Sequence, residues 1–258
     1  MHKTSKWELQ NTLEDFALPK DKTYMIHSSL YSFGLFEDGC SGIMEVLYSV
    51  LGREATIIMP TFTFSFTRKK NWCYRTSKSE TGALTEFFRN DAKTHRTLHP
   101  IHSVAVKGPE QSKYASCSNI SSFGANNPFE KLIADDAINI GLGVGLVGGA
   151  TFLHYAEEYA RVPYRFMKDY PGIVLDKCGS TINLVFQMYS RKTSSKSVFI
   201  NDWSSISRDF RKKNLLKSKS IGLGEVMVMN MANCHELLMT KLSANPYYIA
   251  NEVVKRKT

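Results

Sequence analysis

A chain of 258 residues, 43% hydrophobic and 12% aromatic, can bury one large core or a core with a small subdomain. No apolar run approaches the roughly 20 residues a bilayer crossing requires, so no membrane span is expected. With 33 Lys and Arg against 24 Asp and Glu, the net charge of +9 favours anionic partners, but no recognition helix or aromatic platform marks a nucleic-acid binder and none is expected.

Cys40, Cys73, Cys117, Cys178 and Cys234 are odd in number, dispersed and without a C-x-x-C pair, so they read as free thiols of a reducing compartment. Residues Met1 to Gln10 lack the apolar stretch of a signal peptide, and a cytoplasmic protein is expected.

In chain order, Thr23 to His27 is a first buried strand, and Gly42 to Val50 a helix with Ile43, Val46, Leu47 and Val50 on its apolar face. Ala55 to Pro60 is a second strand ended by proline. Thr81 is placed to cap a helix that buries Leu84, Phe87 and Phe88. Ile101 to Val106 is a third strand. Asn127, Pro128 and Glu130 spell a helix start, with Asn at the cap, Pro at the first position and Glu three residues after the cap. Ala137 to Gly141 is another strand, and a helix carrying His154 follows.

Later segments change character. Ile173 to Leu175, Thr181 to Phe186 and Ser220 to Met229 suggest antiparallel strands, Ser190 to Ser197 an exposed loop, and Cys234 to Leu242 a terminal helix. The fold expected is α/β: a mixed β-sheet flanked by helices, with a smaller antiparallel β section in the later third.

Four segments carry candidate chemistry. Gly143-Val-Gly145-Leu-Val-Gly148 has the form G-x-G-x-x-G, but it lies past mid-chain and no strand ending in an acid follows about 20 residues on. A dinucleotide-binding oxidoreductase therefore stays a remote alternative. His95, His99 and His102 are close in sequence, yet Pro100 breaks any helix aligning them and no Cys or Asp cluster completes a site, so no metal is expected. Arg96, flanked by Thr94, Thr97 and Ser103, suits an anion or a polar ligand. The basic residues between Arg208 and Lys219 spread around a helix and its exit, which favours a solvated face over a phosphate site.

The fourth segment is Thr151-Phe-Leu-His154-Tyr-Ala-Glu157-Glu158. On a helix, His154 neighbours Glu157 at i,i+3 and Glu158 at i,i+4, and either carboxylate could fix the imidazole tautomer for general-base work. The plain alternative is a solvated His–Glu pair on a surface helix.

Six short motifs in order resemble the aminoglycoside 3-N-acetyltransferase family, from about Tyr24 to Leu242. They are His27-Ser-Ser29 with Gly34; Met59-Pro-Thr61-Phe; Gly82-Ala-Leu-Thr-Glu-Phe-Phe-Arg89; Arg96 to Gly108 with Pro100 and Ser103; Phe123-Gly-Ala-Asn-Asn-Pro128, with Asn127 where the family usually has Ser; and Thr151-Phe-Leu-His154-Tyr-Ala-Glu157. The resemblance implies one acetyltransferase domain over residues 1–258, with a β-rich subregion at about 170–230. It implies acetyl-CoA as co-substrate, an amino sugar as acceptor and no metal. His154, oriented by Glu157, would take the proton of an amine that attacks the thioester directly. Thr151 or backbone N–H groups would serve the oxyanion, and Asp202 is a candidate third acid. Ser28, Ser29, Thr61, Arg96 and Ser103 would line the CoA site.

A polycationic aminoglycoside is poorly steered by a basic protein. The charge instead favours an anionic acceptor, a nucleotide-linked amino sugar for surface polysaccharide, with Arg165 and Lys168 facing its pyrophosphate. The segments Pro100 to Ser103, His154 to Glu158 and Tyr164 to Lys168 are similar to family members of that kind. An aminoglycoside 3-N-acetyltransferase of antibiotic resistance is the alternative. The sequence leaves oligomeric state open, a homodimer included.

Overall fold

Thr23–Ser28 and Thr56–Pro60 are apolar along almost their whole length and become strands covered on both faces. Tyr24 and Ile26 enter one core while Met25 enters the other, and Ile57 and Met59 alternate with Ile58 likewise, as the two-residue period of a strand dictates. The computed structural model describes residues 3–254. Met1 and His2, at the head of the segment read for a signal sequence, and residues 255–258 lie outside the described residues.

The main sheet has seven strands in the order Leu216–Ile221, Gly224–Asn230, Ile138–Leu142, Thr23–Ser28, Thr56–Pro60, Val104–Lys107, His95–Arg96. Thr23–Ser28 runs parallel to both of its neighbours, and every other pairing is antiparallel. Helices Lys6–Glu14, Gly39–Leu51 and Ala83–Arg89 bury Leu9, Leu13, Ile43, Leu47, Leu84 and Phe88 on one face. Helices Pro128–Ala134, Leu153–Tyr159, Ser204–Lys212 and Met231–Ala244 cover the other with Phe129, Leu153, Phe210 and Leu238. Among the described residues no helix is long and apolar enough to cross a membrane.

The smaller sheet pairs Arg165–Leu175 with Thr181–Arg191 antiparallel over their full lengths and adds Asn71–Cys73 parallel to the former. Phe66, Trp72, Ile101, Val174 and Phe186 form its core. The α/β class and the smaller β section agree with the expectation from sequence; the parallel strand from residues 71–73 was not foreseen.

Several local expectations shift. Thr81 does not cap a helix: its hydroxyl donates to the Pro60 carbonyl at 2.6 Å, the helix begins at Ala83 behind Gly82 (φ 123°), and Phe87 is exposed. Ser220 to Met229 is a hairpin turning at Gly222 (φ 57°), and it extends the main sheet. The expected loop from Ser190 to Ser197 is strand through Arg191 and strand again from Ser197. The Asn127 cap is as expected, its side chain accepting from Phe129 and Glu130 N–H at 2.7 and 3.0 Å. Asn230 caps the last helix in the same way, which moves its start to Met231.

Candidate active site

A cleft of ≈ 730 Å³ opens at the carboxyl ends of the central strands, where α/β sheets commonly place their ligand sites. His27 and Ser28 end one strand and Pro60 another. Thr151 and His154 come from the turn and helix after the Ile138–Leu142 strand. Arg165, Tyr189, Asn201 and Trp203 close the far wall.

The glycine-rich turn packs strand ends together rather than cradling a dinucleotide. A side chain at Gly143 (φ 70°) would come within 2.5 Å of the Ser29 carbonyl. The stretch Leu146–Gly149 is non-helical at Val147 and Gly148, so no regular helix N-terminus stands ready for a pyrophosphate.

On the following helix the choice between the two carboxylates is made by burial. Glu157 is fully buried, and its Oε2 accepts from His154 Nδ1 at 2.5 Å. Glu158 is turned away, accepting from the Ser121 hydroxyl at 2.5 Å, and burial raises its pKa. Glu157 is held from every side: Tyr164 Oη donates to Oε1 at 2.8 Å, Asn201 Nδ2 to Oε1 at 2.7 Å, and Arg165 pairs with Oε2 at 2.9 Å. Burial alone would raise its pKa, but the His154 and Arg165 charges and these hydrogen bonds outweigh it and hold the carboxyl at about 2. In the neutral imidazole this carboxylate fixes the proton of His154 on Nδ1 and leaves the lone pair on Nε2. The ring lies 5.6 Å from Trp203 and 5.9 Å from Phe123, centroid to centroid, with its side chain 32% exposed to the cleft.

Thr151 Oγ1 lies 3.0 Å from Nε2 of His27, which burial keeps neutral with a pKa near 4. His27 Nδ1 and the Asn139 amide oxygen are both buried without a hydrogen-bond partner. Ser28 lines the cleft, and its hydroxyl is buried without a partner.

The other candidates stand elsewhere. Asp202 accepts from Ser204 N–H and from Asn251 Nδ2, both at 2.9 Å, and is absent from the cleft wall; its neighbour Asn201 takes the place beside Glu157. Arg165 lines the cleft, but its guanidinium is engaged by Glu157, the Tyr189 carbonyl and Asn201 Oδ1. Lys168 is exposed on its strand with its ammonium 5.3 Å from the Tyr170 ring. The Ser29 carbonyl holds a tight turn by accepting from Ser32 N–H at 3.1 Å.

Thr61, Arg96 and Ser103 form a buried network rather than a cofactor wall. The Arg96 guanidinium donates to Thr61 Oγ1, Ser103 Oγ, Thr63 Oγ1 and the carbonyls of Ser77 and Thr61, and it stacks 4.7 Å over Trp72. Burial, with the nearby Arg89 charge, lowers its pKa to about 9, so it remains a cation at neutral pH. Removing it strands several buried oxygens, each costing about 1–3 kcal/mol. Arg96→Ala is therefore expected to lower the midpoint of thermal unfolding while leaving the acetyl-CoA Kd of the folded protein unchanged. Lost acetyl-CoA binding at an unchanged midpoint would instead make Arg96 a ligand contact.

Asn201, Trp203, His27 and His102 join the cleft without having been singled out for it, and the buried Tyr164 stands behind it as a partner of Glu157. His27 and Tyr164 lie inside motifs read for other residues; Asn201 and Trp203 carry no local signal, since chain reversal after the smaller sheet brings them in. Among the described residues no cluster of three His, Cys, Asp or Glu side chains could hold a metal, and all five cysteines are unpaired.

Residues 25–243 match the family model described as aminoglycoside 3-N-acetyltransferase. A prophage-derived aminoglycoside N(3')-acetyltransferase-like protein of Bacillus subtilis (strain 168), YokD, is 25% identical over 184 residues, covering 62% of this chain and 66% of that protein. Aminoglycoside N(3)-acetyltransferase IV of Salmonella sp is 27% identical over 160 residues, covering 62% of this chain and 60% of that enzyme. The chain thus spans under two thirds of the length of either relative. In fold it is similar to AAC-IIIb solved with CoASH, at a TM-score of 0.78, 18% identity, and coverage of 94% of this chain and 97% of that one. The dinucleotide-binding alternative is set aside, and the chain belongs to the aminoglycoside 3-N-acetyltransferase family.

Proposed function

We propose that the chain is an acetyl-CoA-dependent N-acetyltransferase that acetylates an amino group of an aminoglycoside-type amino sugar. The observation that carries this reading is the His154–Glu157 pair, which leaves only the Nε2 lone pair of His154 facing the cleft. Such a base takes the proton an amine must lose as it attacks. Bound acetyl-CoA supplies the acyl group as a thioester that an amine attacks directly. The cleft fits it: the unpaired Ser28 hydroxyl suits a pantetheine amide, and the Phe62 and Phe64 walls suit an acyl group. His27 Nε2, 3.0 Å from Thr151 Oγ1, orients that hydroxyl at the cleft. The Thr151 hydroxyl or the backbone N–H groups of Val147 and Gly148, residues that line the cleft, serve the carbonyl oxygen. Tyr164, Arg165 and Asn201 orient Glu157.

The aminoglycoside acceptor is supported by the relatives, which favour it over the nucleotide-linked sugar expected from net charge. One feature keeps the latter as a second reading. Among the described residues no carboxylate lines the cleft, whereas Arg191 does, and it forms no ion pair among them. The test is thiol release from acetyl-CoA with an aminoglycoside and with a nucleotide-linked amino sugar offered separately. Turnover with the first supports the proposal; turnover with the second alone replaces its acceptor; release with neither, over a panel of amines, removes it.

A further inference from the structure

His102 is buried to 6% exposure yet lines the same cleft, and nothing in the chemistry above uses it. Its backbone N–H donates to His99 Nδ1 at 3.0 Å, and Phe62, Phe64 and Phe123 surround its ring at centroid distances of 4.8, 5.6 and 5.0 Å. The imidazole therefore has one orientation.

Its tautomer follows from its neighbours. Ser122 Oγ lies 2.7 Å from His102 Nδ1 and 3.1 Å from the Gln187 carbonyl oxygen. A carbonyl only accepts, so both contacts are favourable together only if Ser122 gives its proton to Gln187 and receives one from Nδ1–H. The ring's other nitrogen, Nε2, then carries a lone pair. It has no partner among the described residues and is not among the fully buried polar atoms, so it reaches the cleft. Burial, then the charges of His99, His154 and Arg165, hold the pKa of His102 well below the ordinary histidine range, so the ring does not gain a second proton at neutral pH.

We propose that His102, locked as the Nδ1–H tautomer by Ser122 and Gln187, is a specificity residue whose Nε2 accepts a hydrogen bond from an N–H or O–H of the amine-bearing substrate. The ring stands one aromatic side chain from the base, since Phe123 contacts both His102 and His154. Near the reacting atoms, a thioester offers only a carbonyl oxygen and a sulfur, which need donors. A lone pair there has a partner in the amino sugar, whose hydroxyl and amino groups are rich in donors. The inference rests on the N-acetyltransfer reading for the identity of that substrate, while the tautomer stands apart from it.

The test has two arms. In ¹H–¹⁵N spectra of the ligand-free wild type, the His102 ring should show a protonated Nδ1 and an unprotonated Nε2; a proton on Nε2 overturns the proposal. His102→Phe keeps the aromatic packing and removes the lone pair. It should raise the KM for the amine about tenfold, the loss of one hydrogen bond, with the KM for acetyl-CoA unchanged. His102→Gln, which can return an amide oxygen near the Nε2 position, should recover most of that loss. An unchanged amine KM in His102→Phe, or equal rises in both KM values, overturns the assignment. If wild type turns over no amine, the N-acetyltransfer reading fails, and the spectra still decide whether His102 offers an acceptor.

Discussion

His154→Ala is expected to reduce kcat about 10³-fold, within the 10²–10⁴ range general-base catalysis supplies. The KM for acetyl-CoA should change little, since in the proposed mechanism His154 acts on the amine. Stability should hardly move: the side chain is about one-third exposed at the cleft, and its loss leaves Glu157 with Arg165, Tyr164 and Asn201 as partners. Rates of thiol release across pH, with thermal unfolding in parallel, check the prediction. A variant that keeps more than a tenth of wild-type kcat would remove His154 from the role of base.

Replacing Glu157 should cost both activity and stability. Gln at this position can turn an amide N–H toward Nδ1, which drives the imidazole proton onto Nε2 and removes the base. A fall in kcat of about 10²–10⁴-fold is expected. The same change leaves Arg165, 9% exposed at its side chain, without its carboxylate. Breaking a buried pair from one side costs about 3–5 kcal/mol, which in a chain of this size lowers the unfolding midpoint by roughly 6–20 °C.

The pH dependence has a definite sign. The folded carboxyl, at about 2, lies below its ordinary value of 4.5, so its stabilisation is complete above 4.5 and is lost as pH falls through about 2. The gap in unfolding free energy between wild type and Glu157→Gln should be widest near neutrality and close across that window. A gap constant from pH 7 to pH 2 would show that the Glu157 charge does not stabilise the fold.

Much of the architecture was legible because it rests on local pattern. The runs at Thr23 to His27 and Ala55 to Pro60 are too apolar to be anything but covered strands. Asn127-Pro128 carries its own cap chemistry. Strand pairing was not legible. Ser220 to Met229 reads as β from composition, but only the turn at Gly222 and the packing of Val226 and Met227 on opposite faces make it a hairpin of the main sheet. Thr81 has a capping side chain, yet the Pro60 carbonyl, 21 residues away in sequence, takes its proton.

The site divides along the same line. His154 and Glu157 lie three residues apart on one helix, so sequence alone determined that they could touch and supplied the family motif around them. Burial then decided for Glu157 over Glu158, because Tyr164, Arg165 and Asn201 converge on one carboxylate only. In sequence a cation among hydroxyls such as Arg96 looks the same whether it faces a ligand or a core. Only the tertiary structure closes Thr61, Thr63 and Ser103 around it. The tautomer of His102 depends on Ser122 and Gln187, 20 and 85 residues further along the chain. Sequence determines contacts within a helical turn or along a strand through backbone geometry, whereas contacts between distant segments exist only once the sheet and its helices have packed.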